Sequence, residues 1–169
     1  MNVEKRINEP ADCTNLELPS EREILITRSF DAPARIVFEA ITNPAHIRRW
    51  WAPKSRGEML SCEVDLRIGG VWRFVMRAKN GMEVGFSGKF LELDAPTRIV
   101  QTEVFDPFPD ALSVVTVTLG EVGRRTTLSS RVLYPSKEVR DQVLASGMER
   151  GMRESYRQLT DAVDALARG

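Results

Sequence analysis

Apolar and polar residues alternate with a period of two through most of this chain, and a helical period takes over in only two regions. Ile24, Ile26 and Arg28 alternate with Leu25, Thr27 and Ser29 and lead into Phe30 and the turn Asp31-Ala32-Pro33, which predicts a first strand. The period then lengthens. Pro33 stands near the start of a short helix in which Ile36, Val37, Ala40 and Ile41 share a face. Asn43-Pro44 breaks it and opens a second short helix over Ala45 to Trp51, because the first helical position needs no N–H donor.

Alternation returns in the middle. Strands are predicted over Met59 to Leu66, Val71 to Ala78, Met82 to Leu93, Arg98 to Phe105, Ser113 to Leu119 and Thr126 to Leu133. The turn at Gly69-Gly70 separates the first two. Asn80-Gly81 predicts a type I′ hairpin between the next two, and a proline-bearing loop is expected at Pro107 and Pro109. Such a succession is an antiparallel meander. Tyr134-Pro135 ends it, Ser136 is the expected N-cap of a helix, and Met148, Met152, Ser155, Tyr156, Leu159, Val163 and Leu166 form one stripe out to Arg168. One helix of this length would reach about 45 Å and lie across the whole sheet. The Gly147 and Gly151 pair in it suggests a notch for close packing.

The expected architecture is α+β: a curved antiparallel sheet, two short helices and a long C-terminal helix. A single helix cannot fill a concave sheet face, so a cavity is expected between them. Residues 1–20 are polar and without sustained period, and are expected to be an extension; the domain is expected over 21–168. With 169 residues the core needs no staple. The 24 basic and 24 acidic residues balance, which argues against a nucleic-acid partner. No apolar run is long enough to span a membrane and no leader pattern opens the chain, so a cytoplasmic location is expected. Cys13 and Cys62 lack metal or redox spacing and are expected as free thiols, Cys62 as a small buried hydrophobe. His46, the single histidine, has no partners at ligand spacing and is expected on the surface; no metal or cofactor is expected.

The run Asp65-Leu66-Arg67-Ile68-Gly69-Gly70-Val71-Trp72-Arg73-Phe74 resembles the D-x-R-x-G-G-x-W-x-F stretch of the activator of heat-shock protein 90 ATPase homologues, within the START-like (SRPBCC) superfamily. Phe30-Asp31-Ala32-Pro33 before Val37-Phe38, Trp50-Trp51, Gly88-Lys89-Phe90, Pro96-Thr97-Arg98-Ile99-Val100 and Gly151-Met152 support it, so that the resemblance covers Glu21 to Leu166. It implies a helix-grip (START-like, Bet v 1-like) fold and a hydrophobic ligand such as a lipid, sterol or polyketide, with some members being cyclases. Where many relatives carry Trp on the last helix, this chain has Tyr156, implying a differently shaped and slightly more polar pocket. Chaperone activation is not implied, since it involves a separate N-terminal domain with no counterpart here.

The candidate ligand-binding residues follow from alternation. Trp72, Phe74 and Met76 share one face of their strand, and Phe86 and Phe90 one face of the next. Met148 and Met152 suit a cavity floor, because thioethers adapt to varied shapes. Trp50 and Trp51 are adjacent on a helix, so one at most faces a ligand squarely. Gln101 and Glu103 either point outward into solvent, the expected orientation, or inward. In the second case Glu103 needs a partner such as Arg131 or carries a raised pKa, and becomes with Tyr156 a candidate for proton transfer. The sequence is thus compatible with three functions: binding of a small hydrophobic molecule, a cyclase, dehydratase or hydrolase using the same cavity, and a stress-related interaction module or homodimer.

Overall fold

Every strand that alternation identifies forms, and each pairs antiparallel with its neighbours. The computed structural model describes residues 14–169. Its strands are β1 (Asn15–Glu17), β2 (Glu23–Phe30), β3 (Gly57–Val64), β4 (Val71–Ala78), β5 (Glu83–Asp94), β6 (Arg98–Phe105), β7 (Phe108–Val122) and β8 (Arg125–Leu133). They make one curved sheet in the order β1-β2-β8-β7-β6-β5-β4-β3. Hairpins link β3 through β8 in succession, while β2 joins the far side beside β8. Helices α1 (Ala34–Thr42) and α2 (Pro44–Trp50) bridge β2 to β3, and α3 (Lys137–Ala145) and α4 (Met148–Arg168) follow β8.

Local chemistry accounts for several joints. The Asn43 side chain accepts from the Ala45 N–H at 3.0 Å and Pro44 takes the first helical position, which separates α1 from α2 within one residue. Ser136 caps α3, its hydroxyl accepting from the Val139 N–H at 3.1 Å. Gly88 lies opposite Trp72, and a side chain there would collide with the Thr102 carbonyl and the Trp72 indole. The bare backbone lets that indole lie flat and donate to the Thr102 carbonyl at 3.1 Å.

Three expectations change. The C-terminal helix is two helices: the chain turns at Ser146-Gly147, where Gly147 adopts φ 81°, a left-handed conformation that suits glycine. Gly147 therefore makes the break, while Gly151 packs beside Arg56. The hairpin at Asn80-Gly81 is not type I′, since only Gly81 has positive φ; the Asn80 side chain accepts from the Met82 N–H at 2.9 Å instead. The proline loop shrinks to a tight turn at Asp106-Pro107, and Pro109 lies within β7. In the expected N-terminal extension, Asn15–Glu17 form the edge strand β1 on β2; residues 1–13, with Cys13, lie outside the described residues.

The core is divided. One cluster joins Phe30, Val37, Ala40, Trp50, Leu119 and Leu128 to Leu159, Ala162 and Val163 of α4. Another gathers Ile24, Ile26, Val115, Val132 and Tyr134 beneath α3 and the start of α4. Trp72, Phe90 and Ile99 form a third, on the other side of the sheet's hollow.

Candidate functional site

The three clusters share no buried member and are joined only through partly buried side chains such as Val117 and Tyr156. Between them lies a cavity of about 770 Å³, walled by the concave face of the sheet, by α1 and α2, and by the first half of α4. The strand faces decide what lines it. Trp72, Phe74 and Met76 of β4 face it, as do Phe86 and Phe90 of β5. Ile99, Gln101 and Glu103 of β6 continue the surface, followed by Val115 and Val117 of β7 and Leu128, Ser130 and Val132 of β8. The pairs Phe90–Gln101, Gln101–Val115 and Val115–Val132 are directly opposite across the strands, so these side chains form one inward row.

The tryptophan pair closes one side, and both members border the cavity. Trp50 is nearly buried and donates its indole N–H to the Ala40 carbonyl at 2.9 Å. Trp51 sets its ring edge-on against Phe74 and Phe86, at centroid distances of 5.2 and 5.1 Å. The end of α2 would leave orphan carbonyls, and α4 satisfies them. The Ser155 hydroxyl donates to the Trp51 carbonyl at 2.8 Å, and the Gln158 amide donates to the carbonyls of Trp50 and Ala52 at 2.9 and 3.0 Å. Met148, Met152 and Tyr156 extend this roof over the void. Exposed residues Arg56, Lys79 and Asn80 border the cavity where it reaches the surface.

Glu103 corrects the expected outward orientation: it faces inward. Ile99 and Phe105 share its parity on β6, and a bulge between Glu103 and Phe105 lets Phe105 stack on Phe86 at 4.8 Å. Arg131 is not its partner; that side chain lies on the opposite face and pairs with Glu23 at 2.9 Å. Burial, with no compensating charge, pushes the Glu103 carboxyl up to about 7. Tyr156 is nearby: burial raises its phenol to about 12, with smaller contributions from a Ser130 hydrogen bond that opposes the rise and from the Glu103 charge that adds to it. Burial and the same carboxylate also raise Tyr134. The cavity thus holds one ionisable carboxyl beside two phenols that stay protonated.

All eleven candidate residues border this single space: Trp50, Trp51, Trp72, Phe74, Met76, Phe86, Phe90, Glu103, Met148, Met152 and Tyr156. Tyr134, whose place in the sequence marks only the end of the sheet, and Ser130 line the cavity as well. Ser130 was findable, since it alternates in phase with Leu128 and Val132. His46 stands away from the cavity lining and is more covered than expected, with Nε2 3.6 Å from a Glu39 oxygen. Cys62 is buried, which pushes its thiol up to about 11, a poor setting for a nucleophile. Among the described residues no cluster of three potential ligands could hold a metal ion, and no helix is long and apolar enough to cross a membrane.

Comparison with known proteins agrees with this geometry. The family model described as Activator of Hsp90 ATPase homolog 1-like protein matches residues 31–164. A crystal structure of a Rhodobacter sphaeroides protein is similar at 28% identity and a TM-score of 0.83, covering 90% of this chain and 99% of that one. A Nitrosomonas europaea protein has the same fold at 23% identity and TM-score 0.76, over 88% of this chain and 97% of that one. So does an AHSA1-like protein from Aeromonas hydrophila at 23% identity and TM-score 0.63, over 83% and 92%. No curated protein matches the sequence. The chain belongs to the Activator of Hsp90 ATPase homolog 1-like family and has its helix-grip fold.

Proposed function

We propose that this family member binds a small, largely hydrophobic molecule in the cavity between the sheet and α4. The observation that carries this reading is the unfilled space of about 770 Å³ bounded by tryptophan, phenylalanine, methionine and valine side chains. Small-molecule sites are concave, mostly apolar and preformed, with volumes in the range of ~300–1,000 Å³. An apolar space of this size excludes neither a ligand nor disordered water, and a ligand that replaces such water gains the burial of its own apolar surface. Native mass spectrometry of freshly purified protein tests the proposal. A mass excess that disappears on denaturation, or saturable uptake of the neutral fluorophore N-phenyl-1-naphthylamine, supports it. Bare protein that takes up no apolar probe refutes it.

One observation favours a second reading, in which the same cavity is an active site of cyclase or hydrolase type. A general acid–base works best when its pKa lies near the working pH, and Glu103 has been moved to about 7. In that reading Glu103 removes a proton from an enclosed substrate and returns it, while Tyr156 or Tyr134 donates a hydrogen bond to the oxygen on which charge develops. Turnover abolished by Glu103→Gln, with binding of a substrate analogue retained, is the expected signature; equal turnover in both proteins excludes it. The interior is not filled, which removes the main reason for preferring an interaction module that works through its outer surface alone.

A further inference from the structure

Glu103 differs from the other buried charges of this protein. Arg28 donates to the hydroxyls of Thr14 and Thr160, at 2.6 and 2.9 Å. Arg140 is held by Asp141 and by the carbonyls of Ser20 and Glu23. Glu103 is turned inward and partly buried, yet it has no hydrogen-bond or ion-pair partner among the described residues, and its carboxyl faces the cavity. Buried carboxylates are ordinarily paired. Here the position a partner would take belongs to the cavity.

The surroundings specify the sign of that partner. Trp51, Trp72, Tyr134 and Tyr156 border the same space, and the faces of such rings attract cations. We propose that the ligand is a hydrophobic amine, its protonated nitrogen against Glu103 and an aromatic body among the ring-bearing walls. This rests on the binding role proposed above and narrows it to a chemical class. Folding has already withdrawn the carboxyl from bulk water, so a bound ammonium gains the attraction while causing less further desolvation. A neutral ligand leaves the carboxylate unpaired, and an anionic one meets repulsion.

Two cations argue the other way, since Arg56 and Lys79 border the cavity at the surface. Both are exposed, and solvent and salt screen an exposed charge far more than an enclosed one. The enclosed carboxylate therefore dominates the choice of head group, while the rim affects the rate of entry.

The test uses one body with three head groups, 2-(1-naphthyl)ethylamine, 2-(1-naphthyl)ethanol and 1-naphthaleneacetate, titrated calorimetrically into the full chain. At about pH 8 the amine is expected to bind roughly tenfold to a hundredfold more tightly than the alcohol, the range of a charge-assisted contact, and the carboxylate most weakly. Glu103→Gln is expected to abolish the preference for the amine over the alcohol. The wild type supplies a second measurement that needs no variant: amine affinity is expected to fall as pH drops from about 8 to about 5.5, as Glu103 is protonated. The groups around Glu103 are Tyr134 after β8 and Tyr156 on α4, both raised, with the Arg28 guanidinium of β2 close to Tyr156 and Arg56 and Lys79 at the rim. The two phenols, both raised, stay neutral over that range. Amine binding no tighter than alcohol binding, or carboxylate binding tightest, overturns the proposal. If N-phenyl-1-naphthylamine still binds in that case, the cavity reading stands and only the amine class fails; if no probe binds, both fail.

Discussion

The two halves of α4 have the same helical geometry and opposite purposes. From Leu159 onward the helix is sealed into the core: Leu159 and Val163 are 0% exposed and Ala162 4%, packed on Phe30, Val37, Leu119 and Leu128. Met148, Met152 and Tyr156 continue the same stripe, but these side chains are only partly buried and border a void. Ser155, between the halves, ties the helix to the Trp51 carbonyl. The C-terminal half holds the fold together and the N-terminal half roofs the site. A hydrophobic stripe thus records which side of a helix faces inward without recording whether anything is packed against it.

The largest effect tests this division directly. Leu159→Ala removes a fully buried side chain of the core cluster, which borders the cavity on one side only, and is expected to cost about 3–4 kcal/mol, read from the urea midpoint. Met152→Ala, one position on the same stripe two turns earlier, removes a partly buried side chain that packs on a core cluster on one side and borders the cavity on the other, and is expected to cost only about 1 kcal/mol. Equal losses at the two sites would mean that the helix is uniformly packed and that no functional division exists.

Glu103 sharpens the comparison from the opposite wall. Its pKa in the folded protein, about 7, exceeds its ordinary value of 4.5. The folded state therefore holds its proton more tightly than the unfolded chain. Stability contributed at low pH is lost as pH rises between those two values, and no further loss occurs above about 7. Glu103→Gln carries no such term. The variant is expected to be more stable than the wild type by on the order of 3 kcal/mol at about pH 8, with the gap closing below about pH 4.5. Melting curves whose difference is constant with pH would remove the enclosed carboxyl from the account. Stabilisation by losing a charge is also what a site, rather than a structural ion pair, predicts.

Ser155→Ala has a smaller expected effect, about 1–2 kcal/mol, because it leaves the Trp51 carbonyl without the hydroxyl that now donates to it. Thermal melting gives the loss. Fluorescence of the tryptophans should shift as well, since the roof and the Trp50-Trp51 segment are no longer joined at that point. An unchanged melting temperature would show that Gln158 alone holds the two elements together.

The sheet was legible because alternation is a direct consequence of strand geometry, and Trp72, Phe74, Met76, Phe86 and Phe90 could be assigned to one surface before any fold was known. Glu103 was not legible for the same reason. On β6 both parities carry apolar residues, Ile99 and Phe105 on one and Val100 and Val104 on the other, so two polar residues tipped the expectation outward. Only the row formed with Phe90, Val115 and Val132 fixes the side. The cavity itself is a property of how three clusters are bridged only by partly buried side chains, which no local pattern encodes.

The break between α3 and α4 was hidden for a different reason, and it gives the smallest prediction. Ser146-Gly147 lies inside a continuous helical composition, where a glycine costs only about 1 kcal/mol and is often tolerated. The left-handed φ of 81° at Gly147 turns the chain instead. An added Cβ there meets nothing within 4 Å, so substitution strains the backbone alone. Gly147→Ala is expected to destabilise by about 1 kcal/mol. Gly147→Asn is expected to lose about half as much, because asparagine enters the left-handed region more readily. Since Met148 begins the roof one residue later, both variants should leave N-phenyl-1-naphthylamine affinity within about twofold provided the turn is kept. Were alanine neutral for stability, the break would be a soft point rather than a fixed corner, and the open half of α4 would owe its position to Ser155 and Gln158 instead.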